Sequence, residues 1–368
     1  MTLLFNYYKS GSIKQDRLCK IVNNLTAKLQ PNLEITKTYF PQLKYSGNLI
    51  IDGKCIPVKK TMLVPLFGKI PRSKKRKRIK KVLVLIWSVD YFTHDIPNSL
   101  LAPSENEYDF DNFFRELKLI SYPLISLTID DRRALITCCK HYYPKAVIQL
   151  CLKHYLANIN RVLTISNIQI KIRSKEKKLE KWLEDIRLTN TRPRSTRQAI
   201  KLINEIINLE FKYELLLDFQ ELMFSILQAK TFKQAKQRIT SLEKYFLPKR
   251  LLMNFPKNQF RKIAKVYQGF RKDKPYLFNH LKYPHLHIPK TTNLIESYNS
   301  HLELRLSSIR GFESEKTARN YINAWIIKRR FSKLTCCRKH FKKLNGKSPL
   351  EHAGVDIKDI QWLKKCVR

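Results

Sequence analysis

The chain has 368 residues and a formal net charge of +42, from 72 Lys and Arg against 30 Asp and Glu. Such an excess repels itself unless a polyanion binds it, so nucleic acid is the first expected partner, with a ribosomal or anionic membrane surface as the alternative. A hydrophobic content of 43% excludes a disordered tail, and the lack of a GxGxxG or Walker A pattern gives no support for a nucleotide cofactor.

Residues 1–45 are predicted to form a short helical N-terminal arm. Two short basic helices around Gly11 could belong to a helix-turn-helix; a packing arm or a degenerate remnant is the alternative. No signal peptide is expected, and the most apolar stretch, 82–89, is too short to cross a membrane. The eight cysteines are expected to be reduced, in the cytoplasm or nucleoid of a prokaryote or the nucleus of a eukaryote.

The first predicted strand runs from Asn48 to Gly53 and ends in Asp52 and a glycine. Asp-Gly is also a strong turn signal, so a hairpin turn is the alternative. The basic run 71–78 is interpreted as a solvated loop, a phosphate contact or a localisation signal. Lys81–Asp90 is continuously apolar, which predicts a strand buried on both faces, and 95–101 is predicted as the third strand of a meander.

A helix with four large apolar residues on one face is predicted after Ser104. The run Leu124–Ile129 predicts a buried strand that ends in Asp130 and Asp131. A helix over 132–143, a short strand over 146–150 and a helix that starts at Cys151 follow. This order is that of the ribonuclease-H-like α/β fold, whose first and fourth strands lie side by side and would bring Asp52 to Asp130.

The region 166–285 carries helical spacing with little strand signal and is predicted to be an all-helical insertion. Next, the segment from Thr291 to Glu296 introduces a helix. There, Asn293 and Glu296 are spaced as a capping box, whereas the polar residues 291–293 could also contact a phosphate. A further helix, Glu315–Phe331, is predicted to turn its basic residues to solvent, namely Arg319, Lys328, Arg329 and Arg330. The predicted domains are an arm (1–45), the first part of a catalytic core (46–165), the insertion (166–285), the closing helices of the core (286–335) and a C-terminal extension (336–368).

Three acidic residues, Asp52, Asp130 and Glu296, are the candidate metal ligands. Two Mg²⁺ or Mn²⁺ ions about 4 Å apart can activate water or a 3′-hydroxyl on one side of a phosphorus and stabilise the leaving oxygen on the other. These hard ions prefer oxygen ligands, so a few carboxylates and the substrate phosphate suffice. Asp52 would bridge both ions, and each of the other two carboxylates would serve mainly one.

Three segments, LIIDGK, LTIDDRRALITCCKHYYPKAVIQLCLKH and HIPKTTNLIESYNSHLELRLSSIRGF, resemble the Mutator-like DDE transposases and their bacterial insertion-sequence relatives. The resemblance covers roughly 46–350. It implies a ribonuclease-H-like core interrupted by a helical insertion, with catalysis and two-metal binding by Asp52, Asp130 and Glu296. It further implies cleavage at transposon ends and strand transfer into target double-stranded DNA by a homodimer or larger assembly. Active-site support is expected from Cys151, His154, Asp131 and Asn293.

The sequence departs from the family pattern after the second aspartate, where glycine or alanine is usual and Asp131 stands. Which of Asp130 and Asp131 is the ligand therefore stays open. Cys151 and His154 could equally be a buried thiol with a helix histidine, or half of a zinc site with Cys138, Cys139 and His141, although that spacing fits no common zinc module. DNA contacts are expected from Lys74, Lys75, Arg76, Lys77, Arg78, Arg305 and Arg310.

Two other functions fit the same residues. One is a transposon-derived protein that binds DNA but no longer cuts it, against which the intact Asp/Asp/Glu set argues. The other is a ribonuclease-H-like nuclease that acts on RNA or on RNA–DNA hybrids.

Overall fold

The computed structural model describes residues 15–62, 77–189, 196–246, 257–309 and 312–357. The strands are β1 (Asn48–Met62), β2 (Lys77–Asp90), β3 (Ser99–Ala102), β4 (Ser126–Ile129) and β5 (Val147–Leu150). The helices are α1 (Gln15–Ala27), α2 (Asn32–Tyr39), α3 (Glu107–Leu119), α4 (Arg133–Tyr142), α5 (Leu152–Leu163), α6 (Ile165–Thr189), α7 (Thr196–Leu227), α8 (Phe232–Ser241), α9 (Lys257–Leu277), α10 (Asn279–Lys282), α11 (Asn293–Ile309), α12 (Glu315–Phe331) and α13 (Pro349–His352). Of the two helices predicted around Gly11, the first lies outside the described residues, and α1 corresponds to the second.

The strands form one mixed sheet in the order β3-β2-β1-β4-β5. β2 pairs antiparallel with both β1 and β3, whereas β1 and β4 run parallel. An α/β architecture and the side-by-side placement of the first and fourth strands were both predicted, and both are present.

The first strand is longer than predicted, because β1 continues through Asp52 and Gly53 to Met62. Its pairing with β2 is unbroken from Leu49 opposite Asp90 to Met62 opposite Lys77. A continuous ladder leaves no place for a chain reversal at Asp52, so the alternative of a hairpin turn there is wrong.

The chain divides into two compact units, one of residues 1–148 with 286–368 and one of residues 149–285. In the second unit α6 and α7 pack along each other, and Lys175 of α6 forms an ion pair with Glu205 of α7. Buried side chains there include Phe219, Met223 and Phe270. Among the helices with described positions, none combines the length and the apolar composition needed to cross a bilayer.

In the first unit, α11 and α12 cover one face of the sheet. Trp87 of β2 is fully buried, and its ring lies 6.0 Å from that of Tyr298 and 5.6 Å from that of Trp325. Side chains of β1 and β2 complete this core, including Ile50 and Leu85. The packing fixes α11 against the strand that carries Asp52.

Arg330 corrects the prediction that the basic residues of α12 face solvent, because it is only 1% exposed. Its Nε and Nη2 donate to the two carboxylate oxygens of Asp95 at 2.8 and 2.7 Å, and its Nη1 donates to Asn32 and Thr36. A buried guanidinium needs such a paired carboxylate and filled donors. Arg330 follows the buried Ile326 and Ile327 by four and three residues, so it lies next to the buried face of α12, and the sequence does not show its partner.

Candidate functional site

Asp52 lies in β1, and Asp130 directly follows the neighbouring strand β4. β1 and β4 pair from Asn48 opposite Ser126 to Ile50 opposite Thr128, and Asp52 and Asp130 each follow the last pair by two residues. Both side chains line a single pocket. The strand pairing therefore brings together two of the three predicted acidic residues.

The carboxylate of Asp52 accepts hydrogen bonds from Gly53 and Asn299. Its Oδ1 accepts the backbone N–H of Gly53 at 2.8 Å, and its Oδ2 accepts the side-chain amide of Asn299 at 2.7 Å. The amide oxygen of Asn299 in turn accepts Nε1–H of Trp87 at 3.2 Å. Because the indole nitrogen can only donate, this contact fixes which end of the Asn299 amide faces Asp52.

Glu296 is placed by α11, where it lies in the first turn. Asn299 follows three residues later, a spacing that puts both side chains on one face of the helix. Glu296 Oε1 accepts the hydroxyl of the buried Thr292 at 3.2 Å. Glu296 does not line the pocket shared by Asp52 and Asp130. It lies one helical turn before Asn299, the residue that donates to Asp52.

The polar residues before α11 have different environments. Thr292 is fully buried, whereas Asn293, the first residue of the helix, is exposed. The side chain that contacts Glu296 is thus that of Thr292. The predicted capping box paired Asn293 with Glu296, but Asn293 is already the first residue of the helix, so the residue before the helix is Thr292.

Asp131 differs from Asp130 in its surroundings. Its side chain is 39% exposed, and its Oδ1 lies 3.7 Å from Nε of Arg133. Asp131 does not line the pocket with Asp52. The two adjacent aspartates therefore differ in environment, because Asp130 lines the pocket and Asp131 does not.

Sequence reasoning missed two charged residues of the pocket, Glu105 and Arg132. Arg132 Nη2 lies 2.7 Å from Oε2 of Glu105, whose side chain is 17% exposed. A Cβ on Gly53 would lie 1.7 Å from Oε1 of Glu105, so the glycine after Asp52 leaves room for this carboxylate. Neither residue carries a sequence signal, since both belong to short connections between elements.

Asn299 was also missed, although a signal was present. It stands three residues after Glu296 on a helix whose first turn was already singled out. Helical spacing alone would have placed its side chain beside that of the predicted ligand.

Cys151 and His154 begin α5 and contact each other. Cys151 is buried, and its Sγ lies 3.3 Å from Nδ1 of His154. Upstream, Cys138 and Cys139 are buried on α4, and Sγ of Cys138 donates to the carbonyl of Glu107. Burial raises the pKa of the Cys139 thiol to about 12, so this side chain packs as a neutral apolar group at neutral pH.

The basic residues predicted to bind DNA fall partly within the described structure. Lys77 and Arg78 start β2 opposite Met62 and Thr61, and Arg305 is exposed on α11. Lys74, Lys75, Arg76 and Arg310 lie outside the described residues.

Comparison with known proteins gives no family assignment: no protein-family model matches the chain, and no curated protein matches it significantly.

Proposed function

We propose that the chain is a metal-dependent DNA transposase of the DDE type. Asp52, Asp130 and Glu296 would be its acidic residues. The observation that carries the proposal is the parallel pairing of β1 with β4, which aligns Asp52 with Asp130 in one pocket. These two aspartates are separated by 77 residues in the chain, so their convergence is a property of the fold rather than of local sequence.

The sheet supports a ribonuclease-H-like core as the finer description of the fold. Three antiparallel strands followed by a parallel fourth strand beside the first give the order β3-β2-β1-β4-β5. Helices α3 and α4 then connect β3, β4 and β5 in the predicted alternation. In open α/β sheets, ligands bind where neighbouring parallel strands end, which here is next to Asp130.

The donors of the pocket fit hard divalent cations. Asp52 and Asp130 offer carboxylate oxygens, which Mg²⁺ and Mn²⁺ prefer, and Glu105 adds a third acidic side chain. The two oxygens of Asp52 accept hydrogen bonds from Gly53 and Asn299, which orient the carboxylate within the pocket. When bound, two such ions would activate the attacking oxygen and stabilise the leaving one.

The chain's own residues supply positioning. Asn299 holds Asp52 in one orientation through the contact with Trp87, and Arg132 balances the charge of Glu105. Glu296 lies one turn before Asn299 on the same face of α11, and Asn299 donates to Asp52. The net charge of +42 provides attraction for a DNA backbone, whose phosphates would otherwise be repelled by the acidic pocket.

The test is cleavage of a duplex that carries the terminal repeats flanking the coding region, with Mg²⁺ present. We expect Asp52→Asn and Asp130→Asn to reduce nicking to background and to leave DNA affinity unchanged or higher, because each removes a negative charge. Asp131→Asn is the matched control, since Asp131 lies outside the pocket, and it should retain nicking.

Three outcomes would contradict parts of this assignment. Unchanged nicking by Asp52→Asn would refute the metal site. Loss of nicking in Asp131→Asn but not in Asp130→Asn would show that Asp131, rather than Asp130, is the metal ligand. Faster cleavage of an RNA–DNA hybrid than of the duplex would instead identify a ribonuclease-H-like nuclease.

A further inference from the structure

The long helix α7 presents a regular row of exposed side chains. Arg197, Ile200, Asn204, Ile207, Phe211 and Glu214 follow one another at spacings of three and four residues, and all six are exposed. This alternation is the heptad seam of a coiled coil. Ile200, Ile207 and Phe211 are 53%, 54% and 50% exposed, so three apolar side chains of this row are about half exposed, with Asn204 on the turn between the first two.

The opposite face of α7 is already packed. Ile206, Leu216 and Phe219 are 8% exposed or less, and this face supplies the contact with the rest of the helical unit. A helix that is apolar on two faces is normally buried on both. The exposed row, called the α7 seam below, therefore has the character of an interface.

The two ends of the α7 seam carry opposite charges, with Arg197 at one end and Glu214 at the other. In an antiparallel pair of α7 helices, Arg197 of each copy faces Glu214 of the other. Ile200 then faces Phe211, and Asn204 faces Ile207. A parallel pair would place like charges opposite each other at both ends, which is unfavourable.

We propose that the α7 seam is a homodimer interface, in which α7 packs antiparallel against α7 of a second copy of this chain. The self-complementary charges select a second copy as the occupant, because a two-fold interface must match itself. The apolar centre and Glu214 disfavour nucleic acid on this face. This inference does not depend on the proposed transposase activity.

The association is expected to be weak when this seam acts alone. Three half-exposed apolar side chains per copy fall short of the roughly 800 Å² per partner buried in stable interfaces. We therefore expect a dissociation constant of roughly 1–100 µM for the full chain without DNA.

Sedimentation equilibrium of the full chain up to about 200 µM tests the interface. We expect Ile207→Glu to raise the dimer dissociation constant at least about tenfold, because it buries a charge opposite Asn204. Leu119→Glu is the matched control, since Leu119 is similarly exposed at 57% but lies on α3. Circular dichroism checks that both variants keep their helix content.

Charge reversal tests the antiparallel register. Arg197→Glu and Glu214→Arg should each weaken the homodimer by placing like charges at both ends. A mixture of the two variants should restore dimers, because each copy then meets its opposite charge at both ends. A wild-type chain that stays monomeric, an unaltered dimer in Ile207→Glu, or no recovery in the mixture would overturn the proposal.

Discussion

Asp52 shows how one catalytic candidate depends on a neutral neighbour. A carboxylate with a single backbone donor can rotate, whereas the amide of Asn299 adds a second donor at 2.7 Å and restricts it. The amide cannot flip without placing its NH₂ group against Nε1–H of Trp87, which is also a donor. The buried tryptophan therefore sets the orientation of a pocket carboxylate through one intermediate side chain.

Replacing Asn299 by leucine should impair metal use more than DNA binding. It removes a donor from Asp52 and leaves the indole of Trp87 without its acceptor, which costs about 1–3 kcal/mol of unfolding free energy. We expect the Mg²⁺ concentration for half-maximal nicking to rise about 10–100-fold, as for other losses of a residue that orients a metal ligand. Titration of Mg²⁺ at constant DNA concentration measures this shift.

The matched control for Asn299 is Ser300→Ala on the same helix. Ser300 is exposed, and its hydroxyl donates only along the helix, to the carbonyl of Glu296. This variant should keep the wild-type Mg²⁺ dependence. Equal Mg²⁺ requirements for Asn299→Leu and the wild type would show that Asp52 needs no such support.

At the scale of elements, the sequence predicted the order of the strands and helices and the fold class well. It predicted the partners of buried polar side chains poorly. Apolar runs identified the strand before Asp130 and the long β2, and the spacing of Phe110, Phe113 and Phe114 identified the buried face of α3. Hydrophobic periodicity reports burial along one element. It does not report which distant group meets a buried polar side chain, and so Arg330 and Asn299 were not recognised.

The extent of β1 shows a second limit. Asp-Gly is favourable in a turn, but here the cross-strand ladder with β2 continues over both residues. Local propensity was overridden by pairing between strands, which depends on the rest of the sheet. The glycine serves a different purpose, namely space for the carboxylate of Glu105.

The junction of β1 with β4 depends on Gly47, which gives a prediction about stability. Gly47 has a φ of +79°, and its carbonyl accepts the N–H groups of Ile125 and Ser126 at 2.8 and 3.0 Å. A Cβ there would lie 2.4 Å from the carbonyl oxygen of Pro123. Gly47→Ala should therefore lower the free energy of unfolding by more than about 1 kcal/mol, as measured by urea denaturation.

Gly269→Ala provides the contrasting glycine variant. Gly269 lies within α9, and a Cβ there would meet no atom within 4 Å. Because alanine favours a helix over glycine, this change should stabilise the protein by about 0.5–1 kcal/mol. If Gly47→Ala were tolerated as well as Gly269→Ala, the close approach at the start of β1 would not be needed for the sheet.

At the scale of the whole molecule, charge separates two kinds of association. The chain has more than twice as many basic as acidic residues, yet Asp52, Asp130 and Glu105 share one pocket. If the chain binds DNA as proposed, the binding should rest on the basic majority, and the acidic pocket should contribute specificity for the reacting phosphate. The α7 seam, with an apolar centre and one opposite charge at each end, should depend on salt far less.

Salt titration distinguishes these associations in one series. If about eight phosphates are neutralised, duplex affinity should fall about 10³–10⁵-fold between about 50 and 200 mM salt, because counterions are released from the DNA. Over the same range, the dimer constant of the DNA-free chain should change less than about tenfold, since two end pairs are screened while the apolar contacts persist. Fluorescence anisotropy with EDTA present measures the first constant, and sedimentation measures the second. A shallow salt dependence of DNA binding would contradict a phosphate-dominated interface. A steep salt dependence of the dimer constant would indicate that charge, rather than the apolar centre of the α7 seam, holds the two copies together.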